Sequence, residues 1–172
     1  MDTIATEDTG TVDFRITGYA HPDAQALSAE VQQEYVRRYG DPDFTEMNAE
    51  DFDAPAGLFL IAYLDGRPVA CGGWRAKEAG GPDRLLDGDA ELKRMFVVPD
   101  ARGRGLARAV LRHLERTAVE AGRTRFILET GTQQPEAIAL YESEGYVAIT
   151  KFGYYKDHPL AVCLGKELVA AV

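Results

Sequence analysis

At 172 residues and 45% hydrophobic content, the chain has the length for one domain with its own core. A formal charge of -9 excludes general nucleic-acid binding, which needs a basic footprint, and no apolar run approaches membrane-spanning length. Cys71 and Cys163 are too few for a disulfide scaffold, and three scattered histidines offer no zinc spacing, so no metal is predicted.

Residues 1–10 are polar and read as a flexible N-terminus, with a single domain over 11–172. The acidic start Met1-Asp-Thr-Ile-Ala-Thr-Glu-Asp8 lacks the basic-then-apolar order of a secretory signal, so the cytoplasm is expected. Val12, Phe14 and Ile16 alternate with polar neighbours and predict a strand. Pro22 suits the first turn of a helix whose Leu27, Val31 and Tyr35 recur at helical spacing, with Gly40 as its stop. Gln32, Gln33, Glu34 and Arg38 are polar positions on that helix, read as solvent-facing or as the border of a cleft. Asp41 to Asp53 carries six acids and no base, and it reads either as solvated surface or as a wall for a cation. Leu58–Leu64 and Val69–Arg75 are apolar strands joined through Asp65-Gly66, a hairpin signal. Gly72-Gly73 permits a bulge, and Trp74 is read as core or as an acceptor contact. Lys77–Gly88 is a polar loop.

Leu92 through Val98 predicts the central strand, which Pro99 ends. Arg102-Gly103-Arg104-Gly105-Leu106-Ala107 then turns into a helix running to Ala121. Glycines at such a turn let several amide N–H groups converge on the first helical turn, where the helix dipole also favours an anion. Arg102 and Arg104 add positive charge, so the stretch reads as a phosphate seat. It lacks the third glycine of a dinucleotide fingerprint and the Lys-Ser/Thr pair of an NTPase loop. Leu106, Val110, Leu111 and Leu114 give the helix an apolar side, with Arg108, Arg112 and Arg116 elsewhere. Phe126–Leu128 is the next strand, and a strand–helix–strand unit predicts a parallel pair. A helix from Pro135 to Gly145, a short strand Tyr146–Ile149, the aromatic loop 152–159 and a last strand Ala161–Leu168 complete the chain.

The Arg102, Gly105, Ala107 spacing resembles the Arg/Gln-x-x-Gly-x-Gly/Ala signature of the GCN5-related N-acetyltransferase (GNAT) family. Pro135-Glu-Ala-Ile-Ala-Leu-Tyr-Glu-Ser-Glu-Gly-Tyr146 resembles the family's Asn-x-x-Ala-x-x-Leu-Tyr-x-x-x-Gly-Phe/Tyr stretch, with Gln134 where the family has asparagine. The order of elements from Val12 to Leu168 agrees. The resemblance implies an α/β fold, a mixed central sheet with flanking helices, and acetyl-CoA as cosubstrate. It assigns Arg102, Gly103, Arg104, Gly105, Leu106 and Ala107 to the pyrophosphate, and the backbone of Met95, Phe96, Val97 and Val98 to the pantetheine arm. Gln134 is a further coenzyme contact. Tyr141 becomes the candidate general acid at the coenzyme sulfur. Glu91 is the first candidate base, because the family's histone acetyltransferases carry a glutamate near the start of this strand; Glu129 is the second, and His158 a third.

The implied reaction is direct attack of an amine on acetyl-CoA in a ternary complex, and the acidic 41–53 segment tilts the acceptor toward a small cationic amine. A protein or peptide amine, another acyl-CoA donor, or a weakly catalytic acyl-CoA-binding regulatory domain are the alternatives. Tyr154, Tyr155, Lys156 and His158 are placed by analogy at the acceptor rim, and exposed hairpin edges leave a homodimer open.

Overall fold

The computed structural model describes residues 2–5, 11–80 and 85–169. In chain order the elements are β1 (Asp2–Ala5), β2 (Thr11–Thr17), α1 (Pro22–Tyr39), β3 (Gly57–Leu64), β4 (Arg67–Lys77) and β5 (Asp89–Val97). There follow α2 (Leu106–Glu120), β6 (Arg125–Gly131), α3 (Pro135–Ser143), β7 (Val147–Ala148) and β8 (Ala161–Glu167). Short 3-10 turns occupy Ala49–Phe52 and Pro99–Ala101. The strands form one eight-stranded sheet in the order β1-β2-β3-β4-β5-β6-β8-β7. Among the described residues only β5 and β6 run parallel, as the strand–helix–strand order predicts.

Local chemistry explains most of the boundaries. α1 begins at Pro22, with the His21 ring accepting from Asp23 N at 3.1 Å, and ends at Gly40 in the left-handed region. Asp65 and Gly66, at φ 51° and 80°, make a two-residue turn whose twist matches its flanking strands. α2 turns Leu106, Val110, Leu111, Leu114 and Ala118 into the protein. Leu111 and Leu114 are fully buried, each stabilising the fold by about 1.5–3 kcal/mol. Trp74 is core: it is 1% exposed and its indole donates to Thr117 on α2 at 2.9 Å, which removes it as an acceptor contact. The polar start of the chain reads as a free tail, yet Asp2–Ala5 pairs with β2; the rest of that predicted flexible segment lies outside the described residues.

Two irregularities in the sheet make the site. The first is a bulge. Gly73 pairs with Lys93 and Cys71 with Phe96, so β5 carries one residue more than β4 over this span. Arg94 absorbs it at φ 57°, and its carbonyl accepts from the Cys71 thiol at 3.2 Å. The second is a split. β5 and β6 pair at Asp89/Arg125, Ala90/Phe126 and Glu91/Ile127, and from there each strand pairs only with its outer neighbour. A buried Asp89 clamps the closed end by accepting both prongs of Arg125, at 2.7 and 2.8 Å. The open end faces the glycine turn.

Candidate active site

A cavity of about 500 Å³ fills the opening between β5 and β6. Met95, Phe96 and Val97 form one wall, and Leu128, Glu129 and Thr130 the other. From Leu92 onward the β6-facing edge of β5 has no strand partner, so its amides and carbonyls, apart from the Val97 carbonyl that Arg102 takes, are available to an extended, amide-bearing ligand. At one end lie Gly103, Gly105, Leu106 and Ala107. Gly103 and Gly105 have φ 81° and 75°, a conformation that strains any residue with a Cβ. The first helical bond of α2 runs from Ala109 N to Gly105 O, so the amides of Leu106, Ala107 and Arg108 have no helical acceptor. That terminus and the glycine turn fit a phosphate group.

Ion pairs border this groove. Arg102 donates to Val97 O at 3.0 Å and to Glu34 at 2.8 Å. Glu34 also takes Arg38, which reaches the Gln133 carbonyl at 2.8 Å and pairs with Glu136. Arg108 and Arg112 both hold Glu144. The basic face expected from sequence is thus largely paired with carboxylates of α1 and of the α3 end.

A second cavity, of about 650 Å³, lies on the other side of Glu129. Its walls come from α1, from the 41–44 stretch, and from the loop before β8. Tyr155 fixes that loop to the 41–44 stretch, its hydroxyl accepting from Phe44 N at 2.8 Å. Gln32 holds Asp43 by both backbone groups, at 3.0 and 2.8 Å. Tyr35, Leu92, Arg94, Glu129, Thr130 and Gln134 line both cavities, so the two spaces meet there. Burial raises the Glu129 carboxyl to about 7; Lys93 partly opposes this, and Asp43 and Glu91 add to it. Burial likewise raises the Tyr141 hydroxyl above its ordinary range. Asp43 is pushed up by burial, but Lys93, the hydrogen bonds of Thr45 and Arg94 outweigh this and hold it low.

The model of the Acetyltransferase (GNAT) family matches residues 25–146. The chain belongs to this family. An IAA acetyltransferase from Azospirillum brasilense is 38% identical over 110 residues, which span 64% of this chain and 67% of that protein. A Klebsiella pneumoniae structure assigned as an acyl-CoA N-acyltransferase superposes with a TM-score of 0.72 at 27% identity, over 92% of this chain and 98% of its own. The GNAT domain of S. lividans PAT gives a TM-score of 0.72 at 24% identity, over 97% and 96%, a likeness of fold. Acetyl-CoA-dependent N-acetyl transfer is the reaction class, and acetyl-CoA the cosubstrate.

Within this GNAT fold, Met95, Phe96, Val97, Arg102, Gly103, Gly105, Leu106, Ala107, Gln134 and Tyr141 all reach the first cavity. Val98, Arg104 and Glu91, expected from sequence to contact the coenzyme or its reacting group, do not line it. Val98 instead continues the ladder to β4, its N–H donating to Val69 O at 2.9 Å. Arg104 lies outside the lining. Glu91 lines neither cavity and sits opposite Arg75 in the β4–β5 register. Its carboxylate accepts from Arg75 at 2.8 Å with both side chains 8% exposed.

The acidic segment contributes less to the site than its composition suggests. Only Asp41 and Asp43 of its acids line the second cavity, and Asp43 is paired with Lys93 and Arg94. Tyr154, Tyr155 and His158 line that cavity and Lys156 does not. The His158 ring accepts from Leu160 N at 3.2 Å, a loop-closing contact. Tyr35, Lys93 and Arg94 are site residues that sequence reading left unassigned; Tyr35 belongs to the apolar repeat of α1 and carries no separate signal. Among the described residues no group of His, Cys, Asp and Glu is arranged to hold a metal, and no helix is long and apolar enough to cross a membrane.

Proposed function

We propose that this enzyme acetylates a small amine, arriving as its ammonium form, by direct attack in a ternary complex with acetyl-CoA. Glu129 takes the amine proton and Tyr141 supplies one to the departing thiolate. The observation that carries this reading is Glu129 itself, at the junction of the two cavities, with a carboxyl raised to about 7. A base half ionised near neutral pH both accepts a proton from an ammonium and remains available at that pH.

The groove on the unpaired edge of β5 holds the donor, and the aromatic chamber holds the acceptor. The freed amine nitrogen forms a C–N bond to the thioester carbonyl, the C–S bond breaks, and the sulfur takes a proton to leave as free CoA. Tyr141 lines the donor groove alone, and its raised ionisation keeps the hydroxyl protonated for that last step. A covalent acetyl-cysteine has no support: Cys71 and Cys163 are buried, and burial pushes the Cys71 thiol up to about 12.

The test is an amine panel assayed for CoA release, with mass detection of products. Saturable release with an acetylated small amine is expected. Acetylation confined to peptide N-termini or lysine side chains would move the acceptor class to proteins. Tight acetyl-CoA binding without any product would leave a binding domain in place of an enzyme.

A further inference from the structure

The inner wall of the second cavity carries a charge imbalance. Lys93 Nζ and Arg94 Nη1 both lie 3.2 Å from the same oxygen of Asp43, Oδ2. The other oxygen, Oδ1, accepts from Thr45 N at 2.9 Å. All three charged side chains are withdrawn from solvent: Arg94 is 3% exposed, Lys93 12% and Asp43 16%. Arg94 Nε is buried and has no hydrogen-bond partner. Two cations therefore share one carboxylate, leaving one positive charge in excess. Glu91 does not offset it, being held by Arg75. Asp41 and Asp157 are exposed, where water screens them. Glu129 is the remaining acid on this inner wall.

We infer that the acceptor is an amine that also bears a carboxylate, which Lys93 and Arg94 receive while Glu129 receives the ammonium. This rests on the reading of the second cavity as the acceptor chamber. A zwitterion satisfies both halves of the wall at once: its cation meets Glu129 and its anion meets the surplus of the Lys93–Arg94–Asp43 cluster. A polyamine would set further positive charge against two withdrawn cations, and a neutral amine would leave the surplus unpaired, which is costly away from water. Tyr35, Tyr39, Phe44 and Tyr154 wall the same space and suit an apolar or aromatic body. The class is thus an amino acid, or an amino acid-like small molecule, with an apolar side chain.

The experiment compares free amino acids with their own carboxamides and decarboxylated amines, using the intact enzyme, acetyl-CoA and CoA release. A carboxylate meeting a buried cation should raise kcat/KM about 10- to 100-fold over either partner. Lys93→Met should bring the acid-to-amide ratio to within about threefold of one, and Lys93→Arg should restore it. Taking the ratio cancels any effect of Lys93 on Glu129, because both substrates need the base. A des-amino acid such as 3-phenylpropionate should compete with the amine. Decarboxylated amines that equal or exceed their parent acids would overturn the inference while leaving the chamber as acceptor site, as would a ratio that survives Lys93→Met. Lys93 and Arg94 would then only staple Asp43 to β5. No product from any member of any series would sink the acceptor-chamber reading itself, and the inference with it.

Discussion

Replacing Glu129 by glutamine probes the catalytic base through two independent readouts. The first is stability. An ordinary glutamate titrates at 4.5 and this one at about 7, so between those values the folded chain holds a proton that the unfolded chain has released. Folding therefore loses stability as pH rises through that window, the reverse of a salt-bridged carboxylate. At about 1.4 kcal/mol per tenfold, the loss between pH 5 and pH 8 reaches at most about 2–3 kcal/mol. Glutamine does not ionise, so the Tm of Glu129→Gln should rise relative to wild type by about 5–10 °C on going from pH 5 to pH 8. The second readout is rate. Loss of a general base costs on the order of 10²–10⁴-fold, and the limb of kcat/KM near pH 7 should vanish. A limb from the substrate amine's own ionisation should remain. Calorimetry at the two pH values and a CoA-release pH profile suffice. Turnover within about threefold of wild type with the limb intact would refute Glu129 as base, whatever the thermal result.

Three further substitutions test the rest of the site. Tyr141→Phe should lower kcat about 10- to 100-fold with little change in the KM for acetyl-CoA; an unchanged kcat would hand the thiolate proton to water. Glu91→Gln leaves the Arg75 guanidinium with reduced compensation in a buried position, so a loss of about 3 kcal/mol in denaturant titrations is expected, with turnover and the pH–rate limb retained and the limb moved only slightly downward as the Glu91 charge is removed from beside Glu129. A limb that vanished, with turnover down by about 10²-fold or more, would return Glu91 to the chemistry. Gly105→Ala meets no neighbouring atom within 4 Å, so its whole effect is backbone strain at φ 75°, about 1–2 kcal/mol. It should raise the KM for acetyl-CoA with kcat nearly retained, and an unaltered KM would remove the glycine turn from donor binding.

What the sequence made legible was local. The Asp65-Gly66 turn, the apolar stripe of α2 and the glycine turn before it depend on residues within one or two turns of each other, and each is found where its chemistry predicts. The choice of proposed base depended on strand register, which no single stretch encodes. Glu91 and Glu129 are both strand carboxylates on neighbouring parallel strands and look alike in a sequence. Arg75 falls opposite Glu91 in a β4–β5 register that shifts by one residue at the bulge. The bulge had a trace in Gly72-Gly73, but nothing announced that Arg94, on the partner strand, would absorb the extra residue.

The position of Glu129 has the same cause as the donor groove. Glu91 is the last residue of β5 paired with β6, through Ile127, and Glu129 lies two places beyond Ile127 on the freed side of β6. Where the strands stay together, a carboxylate meets a cross-strand arginine. Where they part, a carboxylate borders a cavity without such a partner and is raised by burial. One break in the ladder therefore opens the edge that suits an amide-bearing donor and leaves the proposed base beside it. A substitution that drew β6 back against β5 beyond Glu91 would be expected to remove donor binding and the pH 7 limb together.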